Sequence, residues 1–181
     1  VKEAKVFLEK FPKEFIVWNI LGVSLTQLKK LDEAVVAYEK ALSIKPNYVD
    51  AYYNLGNTLQ EQNKLDASIE AYEKTLSLDT DYNKALIMMG NALQEKGDLK
   101  KALSTYKKAL SLDPNNSDLH SNMGNALQAQ GKLEASLLAY KKAISLKPYN
   151  GEAYGNMGNT LQAQKEFVKA IEAYDVAIEL M

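Results

Sequence analysis

Carboxamide side chains recur at fixed intervals along this chain of 181 residues. One series of asparagines repeats every thirty-four positions. A second series of asparagines lies three positions before members of the first series, and a series of glutamines lies three positions after each member of the first. The first series is Asn57, Asn91, Asn125 and Asn159, the second is Asn54, Asn122 and Asn156, and the glutamines are Gln60, Gln94, Gln128 and Gln162. A carboxamide offers donors and an acceptor that match the C=O and N–H groups of an extended polypeptide. The spacing therefore indicates a ladder able to hold a main chain.

The same amides have a second, purely structural explanation. Asparagine is worse than alanine inside a helix by about several tenths of a kcal/mol, so a series of them within helices needs a reason. The amides could bond neighbouring helices, as buried amides commonly do, or could have been copied by repeat duplication. Both explanations stay open at the level of sequence.

Catalytic and metal-binding chemistry finds little support among the other polar residues. The single histidine, His120, takes a place that tryptophan, tyrosine or leucine holds elsewhere in the chain, which is typical of a packing residue. The acidic run 79–83 lacks the glycine and the closing glutamate of a calcium-binding loop. Cysteine is absent, so thiolate catalysis and cysteine-ligated zinc are excluded. We expect no catalytic residue, no cofactor and no bound metal.

Composition and charge limit the partners of the chain. Apolar residues make up 46% of it and charged residues 25%, which is typical of a globular protein with a substantial core. Its 22 basic residues, all lysines, nearly balance 23 acidic ones, so no net field favours nucleic acid or an anionic membrane. No run approaches the roughly 18 apolar residues of a membrane span, and residues 1–14 lack the apolar run of a signal peptide. We expect a soluble chain with neither nucleic-acid nor membrane partners; its compartment is undetermined, and the cytoplasm is the expectation.

A single period organises the chain. Glycines and tyrosines each recur five times, every thirty-four positions, and each tyrosine follows a glycine by sixteen positions. The glycines are Gly22, Gly56, Gly90, Gly124 and Gly158, and the tyrosines are Tyr38, Tyr72, Tyr106, Tyr140 and Tyr174. The period predicts repeats at 15–48, 49–82, 83–116, 117–150 and a shortened 151–181, forming one continuous repeat domain with a partial unit at 1–14. We expect the glycines, which lie within helices, to permit close helix packing.

Each repeat carries two helical patterns. In the second repeat, apolar residues follow helical spacing first over 52–59 and then over 65–76. The break between helices falls at residues that accept a left-handed backbone or hold the equivalent place, namely Lys29, Asn63, Gly97, Gly131 and Lys165. Proline ends the second helix in three repeats. The sequence therefore predicts an all-α fold of stacked helical hairpins, an α-solenoid.

The residues of one repeat resemble a known family. Those that carry the resemblance in the first repeat are Trp18, Leu21, Gly22, Leu25, Ala34, Tyr38, Ala41 and Pro46. This pattern resembles the tetratricopeptide repeat, and the resemblance covers 15–181. It implies a right-handed solenoid of helix-turn-helix repeats in which residues 1–14 are the second helix of a partial preceding repeat.

The resemblance also implies a binding surface. In tetratricopeptide arrays the face of the first helix opposite its apolar positions lines a concave groove, and that face carries the carboxamides. The pattern is similar to the groove of O-GlcNAc transferase and SPINDLY-type proteins, in which asparagines hold the backbone of a target peptide. It implies that the asparagines given above bind peptide together with Gln60, Gln94 and Gln128. Tyr53, Ile87 and Met88 could add a central pocket for an apolar side chain, and ordinary local packing explains them equally well.

Charge on the same face indicates the kind of peptide that it would accept. Acidic residues outnumber the lysine Lys84 there; they are Asp50, Glu61, Glu95, Asp118 and Glu152. A neutral or basic extended segment suits this surface better than an acidic C terminus. The lysines and arginines with which chaperone adaptors of this family clamp a terminal carboxylate are also missing.

The sequence thus predicts a non-catalytic protein-interaction module that binds an extended peptide. One alternative is the substrate-recognition arm of a larger enzyme, a glycosyltransferase or a sulfotransferase, whose catalytic domain lies outside the chain. The other is a scaffold that self-assembles by end-to-end stacking into a homo-oligomer. It rests on apolar side chains expected to be uncovered near both ends, which are Val6, Phe7, Ile171, Ile178 and Met181.

Overall fold

A computed structural model of the protein describes residues 1–180, apart from the side chain of Lys5. Met181, whose side chain the sequence predicts to be uncovered, lies outside the described residues. Within them the chain forms eleven α-helices and no strand, so the predicted all-α class is confirmed. The helices are α1 (Lys2–Lys10), α2 (Phe15–Gln27), α3 (Leu31–Ile44), α4 (Val49–Glu61), α5 (Leu65–Leu78), α6 (Asn83–Glu95), α7 (Leu99–Leu112), α8 (Ser117–Ala129), α9 (Leu133–Leu146), α10 (Gly151–Ala163) and α11 (Phe167–Glu179).

The helices group into two compact units. The first spans residues 1–96 and holds α1 to α6, and the second begins at Gly97 and holds α7 to α11. In the first unit α2 packs on α3 and α4 on α5 as hairpins, while α3 and α5 each pack on the helix that follows. In the second unit α8 with α9 and α10 with α11 form the hairpins, and α9 packs on α10. Each unit therefore buries the apolar faces of its hairpins against one another.

The tight turns between helices use a left-handed backbone at the places that the sequence indicates. Lys29, Asn63 and Lys165 have φ values of 58°, 58° and 63°, and Gly97 and Gly131 have 89° and 73°. After α2, the N–H of Lys30 donates to the carbonyl of Leu25 at 2.9 Å, a bond that closes the helix end. Only the two glycines adopt this backbone without steric strain from a Cβ atom.

The second helices end two residues before proline in three repeats, α3, α7 and α9. The helix α5 ends at Leu78, also two residues before the equivalent place, although Thr80 stands there instead of proline. Here the Asp79 carboxylate accepts a hydrogen bond from the N–H of Asp81 at 3.1 Å and turns the chain. An aspartate turn thus does locally what proline does in the other repeats.

The repeated glycines lie against the repeated tyrosines. A Cβ atom built on Gly56 would lie 2.6 Å from Cε1 of Tyr72, closer than carbon atoms pack in proteins. The same distance is 2.5 or 2.6 Å for three further pairs, which are Gly22 with Tyr38, Gly124 with Tyr140 and Gly158 with Tyr174. The glycine therefore allows the tyrosine ring of the second helix to contact the backbone of the first, and the expectation of close helix packing is confirmed for these pairs.

Small polar side chains join the two helices of a hairpin beside each of two glycines. The hydroxyl of Ser68 donates to the carbonyl of Gly56 at 2.9 Å, and that of Ser136 donates to the carbonyl of Gly124 at 2.9 Å. Both serines are fully buried, so these bonds form away from water. They fix the register of the second helix on the first and so determine where its tyrosine hydroxyl lies.

Candidate functional site

The asparagines and glutamines singled out above lie on the first helices of the repeats, and we call the surface that they form within each unit the amide face of that unit. Its members in the first unit are Asn54, Asn57, Gln60, Asn91 and Gln94, and those in the second are Asn122, Asn125, Gln128, Asn156, Asn159 and Gln162. Within each helix they are three residues apart, so they lie on one side of it. All of them are partly buried except Asn159 and Gln162, which are exposed.

A tyrosine from the second helix of the hairpin engages two of these amides at once. The hydroxyl of Tyr72 lies 2.8 Å from Oδ1 of Asn57 and 3.1 Å from Oε1 of Gln60. The second unit repeats this arrangement twice, with Tyr140 at 2.6 Å from Asn125 and 3.2 Å from Gln128, and Tyr174 at 2.9 Å from Asn159 and 3.0 Å from Gln162. We call each set a Tyr–Asn–Gln triad.

The hydroxyl is the donor in each triad, and the amide oxygens are the acceptors. Burial raises the pKa of Tyr72 and of Tyr140 above the ordinary value of 10.0, which keeps both hydroxyls protonated. One phenol proton is shared between two oxygens, and in all three triads the asparagine oxygen is the nearer one. The triad therefore fixes the orientation of the asparagine amide from its oxygen side.

This geometry changes what the ladder can offer. The sequence predicts a donor and an acceptor at every asparagine, but at Asn57, Asn125 and Asn159 the acceptor is already bonded to the protein. Among residues 1–180 no protein atom accepts a hydrogen bond from the amino groups of these three side chains. Each of these asparagines thus keeps a pair of N–H donors, held in place by the tyrosine, and one lone pair of its oxygen.

The structural explanation of the amides is therefore correct for their oxygens at the triads. It also applies to Asn54, whose amino group donates to Oδ1 of Asn19 at 3.1 Å. Asn19 in turn donates to the hydroxyl of Tyr48 at 3.5 Å, and only 8% of its surface is exposed. Asn19 is not among the residues predicted from the sequence. One signal does point to it, since it is the only polar residue in the run 15–23.

The first repeat lacks the triad because Val23 and Thr26 stand where asparagine and glutamine stand in the others. The hydroxyls of Tyr38 and Thr26 are 3.3 Å apart, and Thr26 lies 2.9 Å from the hydroxyl of Thr58 on α4. The tyrosine is still bonded, but through a hydroxyl that offers no pair of N–H donors. The amide face of the first unit accordingly begins at the second hairpin.

The ring of Tyr53, which the sequence predicts to add to an apolar pocket, lies beside two other tyrosine rings. The ring of Tyr53 lies 5.2 Å from that of Tyr82 and 6.2 Å from that of Tyr72. Ile87 and Met88 lie on α6 and are partly buried. Tyr53 therefore belongs to a cluster of tyrosines, and its pairing with the two apolar side chains stays a prediction.

The acidic side chains near the amide face are in part neutralised. Glu61 forms an ion pair with Lys29 at 2.8 Å, and Asp118 lies 4.0 Å from Lys147. Glu95 accepts a hydrogen bond from the amino group of Gln60 at 2.8 Å. All of these carboxylates are exposed, so the pairs are screened by water and contribute little to stability.

His120 has a structural role in the second unit. Its Nε2 atom lies 3.0 Å from the carbonyl oxygen of Pro114, six residues earlier. Trp18 stands at the equivalent place in the first repeat, and its indole N–H donates to the carbonyl of Pro12 at 2.9 Å, again six residues earlier. Both side chains therefore connect the preceding turn to the first helix of their repeat. This structural role agrees with the prediction that His120 is a packing residue.

The described part of the chain contains neither a candidate metal site nor a candidate membrane-spanning helix. No three histidine, aspartate or glutamate side chains of residues 1–180 are grouped so that they could hold a metal ion. No helix in the same range is long and apolar enough to cross a bilayer.

The fold and the triads define a class of protein: a helical repeat protein whose hairpins pack a tyrosine on a glycine. Comparison with known sequences then identifies the family. Family profiles described as TPR repeat match residues 22–63, 90–131 and 124–165, and two described as tetratricopeptide repeat match 49–82 and 151–180. The chain belongs to the tetratricopeptide repeat family, as its sequence resemblance indicates, and proteins of this family serve as protein-interaction modules.

Curated relatives match a short part of the chain. A peroxisomal targeting signal receptor of Candida albicans is 50% identical over 52 residues, and one of Kluyveromyces lactis is 48% identical over 48 residues. These matches cover 29% and 26% of this chain and 9% and 8% of the receptors. The chain therefore spans less than a tenth of the length of these relatives.

Solved structures match nearly the whole chain. A crystal structure of MamA has a TM-score of 0.82 and 26% identity, and it covers 88% of this chain and 93% of its own. YrrB, described as a TPR protein with an unusual peptide-binding site, has a TM-score of 0.80 and 24% identity, with 98% and 92% covered. The likeness to YrrB concerns the fold alone.

Proposed function

We propose that the amide face of each unit holds an extended segment of a partner protein through the amino groups of the triad asparagines. One observation carries the proposal: the oxygens of Asn57, Asn125 and Asn159 are bonded to tyrosine, while their amino groups have no acceptor among the described residues. Donors presented in this way match the carbonyl oxygens of a polypeptide.

The tyrosine makes these donors effective by fixing them before the ligand arrives. A free asparagine loses rotamer freedom when it binds, and that loss subtracts from the affinity. Here the tyrosine hydroxyl donates to the amide oxygen and holds the side chain in one rotamer. Part of the loss of rotamer freedom therefore occurs on folding and not on binding. Because carbonyl oxygens occur at every residue, such a surface grips main chain with little regard to side chains.

The comparisons support a peptide ligand in general terms. The receptors of Candida albicans and Kluyveromyces lactis are named for a targeting signal, and YrrB is described by its peptide-binding site. We propose a segment that is neutral or basic rather than an acidic C terminus, because exposed carboxylates such as Asp50 and Glu152 lie on the first helices. We also propose that the chain itself is not catalytic.

The experiment begins with peptide selection against the whole chain. Random displayed peptides of about twelve residues, about 40 Å when extended, are long enough to span several asparagines. A selected peptide is then synthesised, and its dissociation constant is measured by calorimetry for the wild type, for Asn57→Ala in the first unit, and for Asn125→Ala together with Asn159→Ala in the second unit. Loss of two hydrogen bonds to the ligand should weaken binding by about tenfold or more.

Tyrosine variants provide the matched control. Tyr72→Phe in the first unit, and Tyr140→Phe with Tyr174→Phe in the second, remove the same internal bonds as the asparagine variants but leave the amino groups in place. They should lower stability comparably and weaken peptide binding much less. If the asparagine and tyrosine variants have equal effects on binding, or none, the amides are structural and the proposal is wrong.

A second candidate, self-association, is favoured by exposed apolar side chains. On α11 Val168 is 73% exposed and Ile178 is 68% exposed, and Ile171 is exposed as expected. On α1 Val6 and Phe7 are exposed as expected. Sedimentation equilibrium tests this candidate: a mass that rises with concentration, and that Val168→Glu with Ile178→Glu returns to the monomer, would support it. The enzyme-arm alternative stays a prediction from sequence.

A further inference from the structure

A compact cluster of aromatic and acidic groups lies at the edge of the amide face in the first unit. The rings of Tyr53 and Tyr82 are 5.2 Å apart and tilted by 41°. The hydroxyl of Tyr82 donates to Oδ1 of Asp50 at 3.3 Å, and Asp50 itself is exposed. Burial and the nearby Asp50 carboxylate raise the pKa of Tyr82 to about 12, so its hydroxyl remains a donor.

The first repeat contains an aromatic pair built from the equivalent tyrosine and a ring at a different position of the repeat, Phe15. Tyr48 takes in the first repeat the place that Tyr82 takes in the second, and its ring is 5.1 Å from that of Phe15 in an edge-to-face contact. The ammonium of Lys45 lies 4.6 Å from the centre of the Phe15 ring and 5.5 Å from that of Tyr48. The chain thus places one of its own cations on this aromatic pair.

In the second repeat the residue that corresponds to Lys45 has the opposite charge. Asp79 takes that place, and its carboxylate acts on Tyr82 in the same sense as that of Asp50. The aromatic pair of Tyr53 and Tyr82 therefore lies among carboxylates instead of beneath a lysine. A phenol that donates to a carboxylate also gains electron density in its ring, which strengthens its attraction for a cation.

We propose that Tyr53, Tyr82 and Asp50 form a binding site for a basic side chain, lysine or arginine, of the partner segment. The cation lies on the tyrosine rings as Lys45 does on its pair in the first repeat, and Asp50 and Asp79 supply the opposite charge. This inference rests on the proposed function, because the basic side chain belongs to the segment that the amides hold. It adds a requirement for one residue type at one place in a ligand otherwise gripped by its main chain.

The peptide selection described above tests this inference separately from the proposed function. Selected sequences should carry lysine or arginine at one fixed register. Replacing that residue by norleucine, which keeps the length but not the charge, should weaken binding to the wild type by about tenfold. The same replacement should have a much smaller effect on binding to Asp50→Asn and to Tyr82→Leu.

Controls separate this site from general attraction between unlike charges. Glu73→Gln removes the same charge from the exposed surface of α5 and should retain the full norleucine effect. Circular dichroism establishes that each variant is folded, and if Tyr82→Leu is not, Asp50→Asn and Asp79→Asn decide the result.

The outcomes differ for the two proposals. If peptides are selected without a preferred basic residue, or if the norleucine effect is equal in the wild type and in Asp50→Asn, the cation site is wrong and the amide grip stands. If no peptide is selected at all, the proposed function is wrong and this inference falls with it.

Discussion

The contact between glycine and tyrosine predicts that one substitution has opposite effects in two helices of this protein. Glycine is replaced by alanine at Gly56 in α4 and at Gly155 in α10. At Gly56 the new Cβ atom would lie 2.6, 2.8 and 3.0 Å from three ring atoms of Tyr72. At Gly155 the nearest atom is the Cβ of Ala177 at 3.9 Å, an ordinary contact.

The magnitudes follow from two opposing effects. Alanine favours a helix over glycine by about 0.8–1 kcal/mol, and this gain applies at both sites. At Gly56 the ring of Tyr72 is fully buried and held by its triad, so it must shift by about 1 Å against its neighbours. Overpacking of this kind costs about 1–3 kcal/mol. We expect Gly155→Ala to raise the free energy of unfolding by about 0.5–1 kcal/mol, and Gly56→Ala to lower it by up to about 2 kcal/mol once the helix gain is subtracted from the overpacking cost.

Urea unfolding measures both changes. Trp18 is the only tryptophan and lies in the first unit, so its fluorescence follows the unit that contains Gly56, and circular dichroism follows the whole chain. A second variant adds Tyr72→Leu to Gly56→Ala, which removes the ring atoms that the methyl group would meet. The alanine should then be tolerated far better than beside tyrosine. If both single substitutions stabilise the protein, the close approach of Tyr72 to Gly56 does not control packing and the reasoning fails.

Three further predictions use the same unfolding assay. Lys165 has a left-handed backbone at φ 63°, so Lys165→Gly should raise stability by about 0.5–1 kcal/mol; an unchanged urea midpoint would contradict this. Tyr140→Phe removes the donor of a triad and should cost about 0.5–1.5 kcal/mol, and a variant as stable as the wild type would show that the triad bond does not stabilise the fold. The pKa of Tyr82 is raised in the folded state, so its contribution to stability is complete below pH 10, the unfolded value, and is lost as the pH rises through about 12. Tyr82→Phe should therefore flatten the loss of stability above pH 10, and a variant that loses stability as steeply as the wild type would contradict this.

The features that the sequence predicts well are local ones. The left-handed turns at Asn63 and Gly97 follow from residue type and from the helical patterns on each side, and both occur in the structure. The all-α class follows from the same periodicity, and the glycine contacts follow from a residue that has no side chain inside a helix. Each of these inferences needs only a few neighbouring residues.

The contacts of the amide face needed the tertiary structure. The partner of Asn57 is Tyr72, fifteen residues later on another helix, and the direction of its hydroxyl depends on how the two helices pack. The tyrosine period is visible in the sequence, but its hydrogen bond to the asparagine period is not. The ring contact between Tyr53 and Tyr82 is likewise invisible in the sequence, because Tyr82 precedes α6 and its ring comes back toward α4.

The triads affect which residues a bound peptide can carry at the positions that they contact. Tyr140 takes one of the two lone pairs of its oxygen, so Asn125 binds a main chain mainly through its two N–H donors, which recognise carbonyl groups. A ligand held in this way therefore needs no backbone N–H at the residues that the triads contact. Proline, which lacks that proton and is extended before binding, should be accepted at those residues and should reduce the entropy lost on binding. A ligand strand that pairs with a sheet edge uses its N–H groups in the ladder, so there proline is disfavoured at the hydrogen-bonded positions.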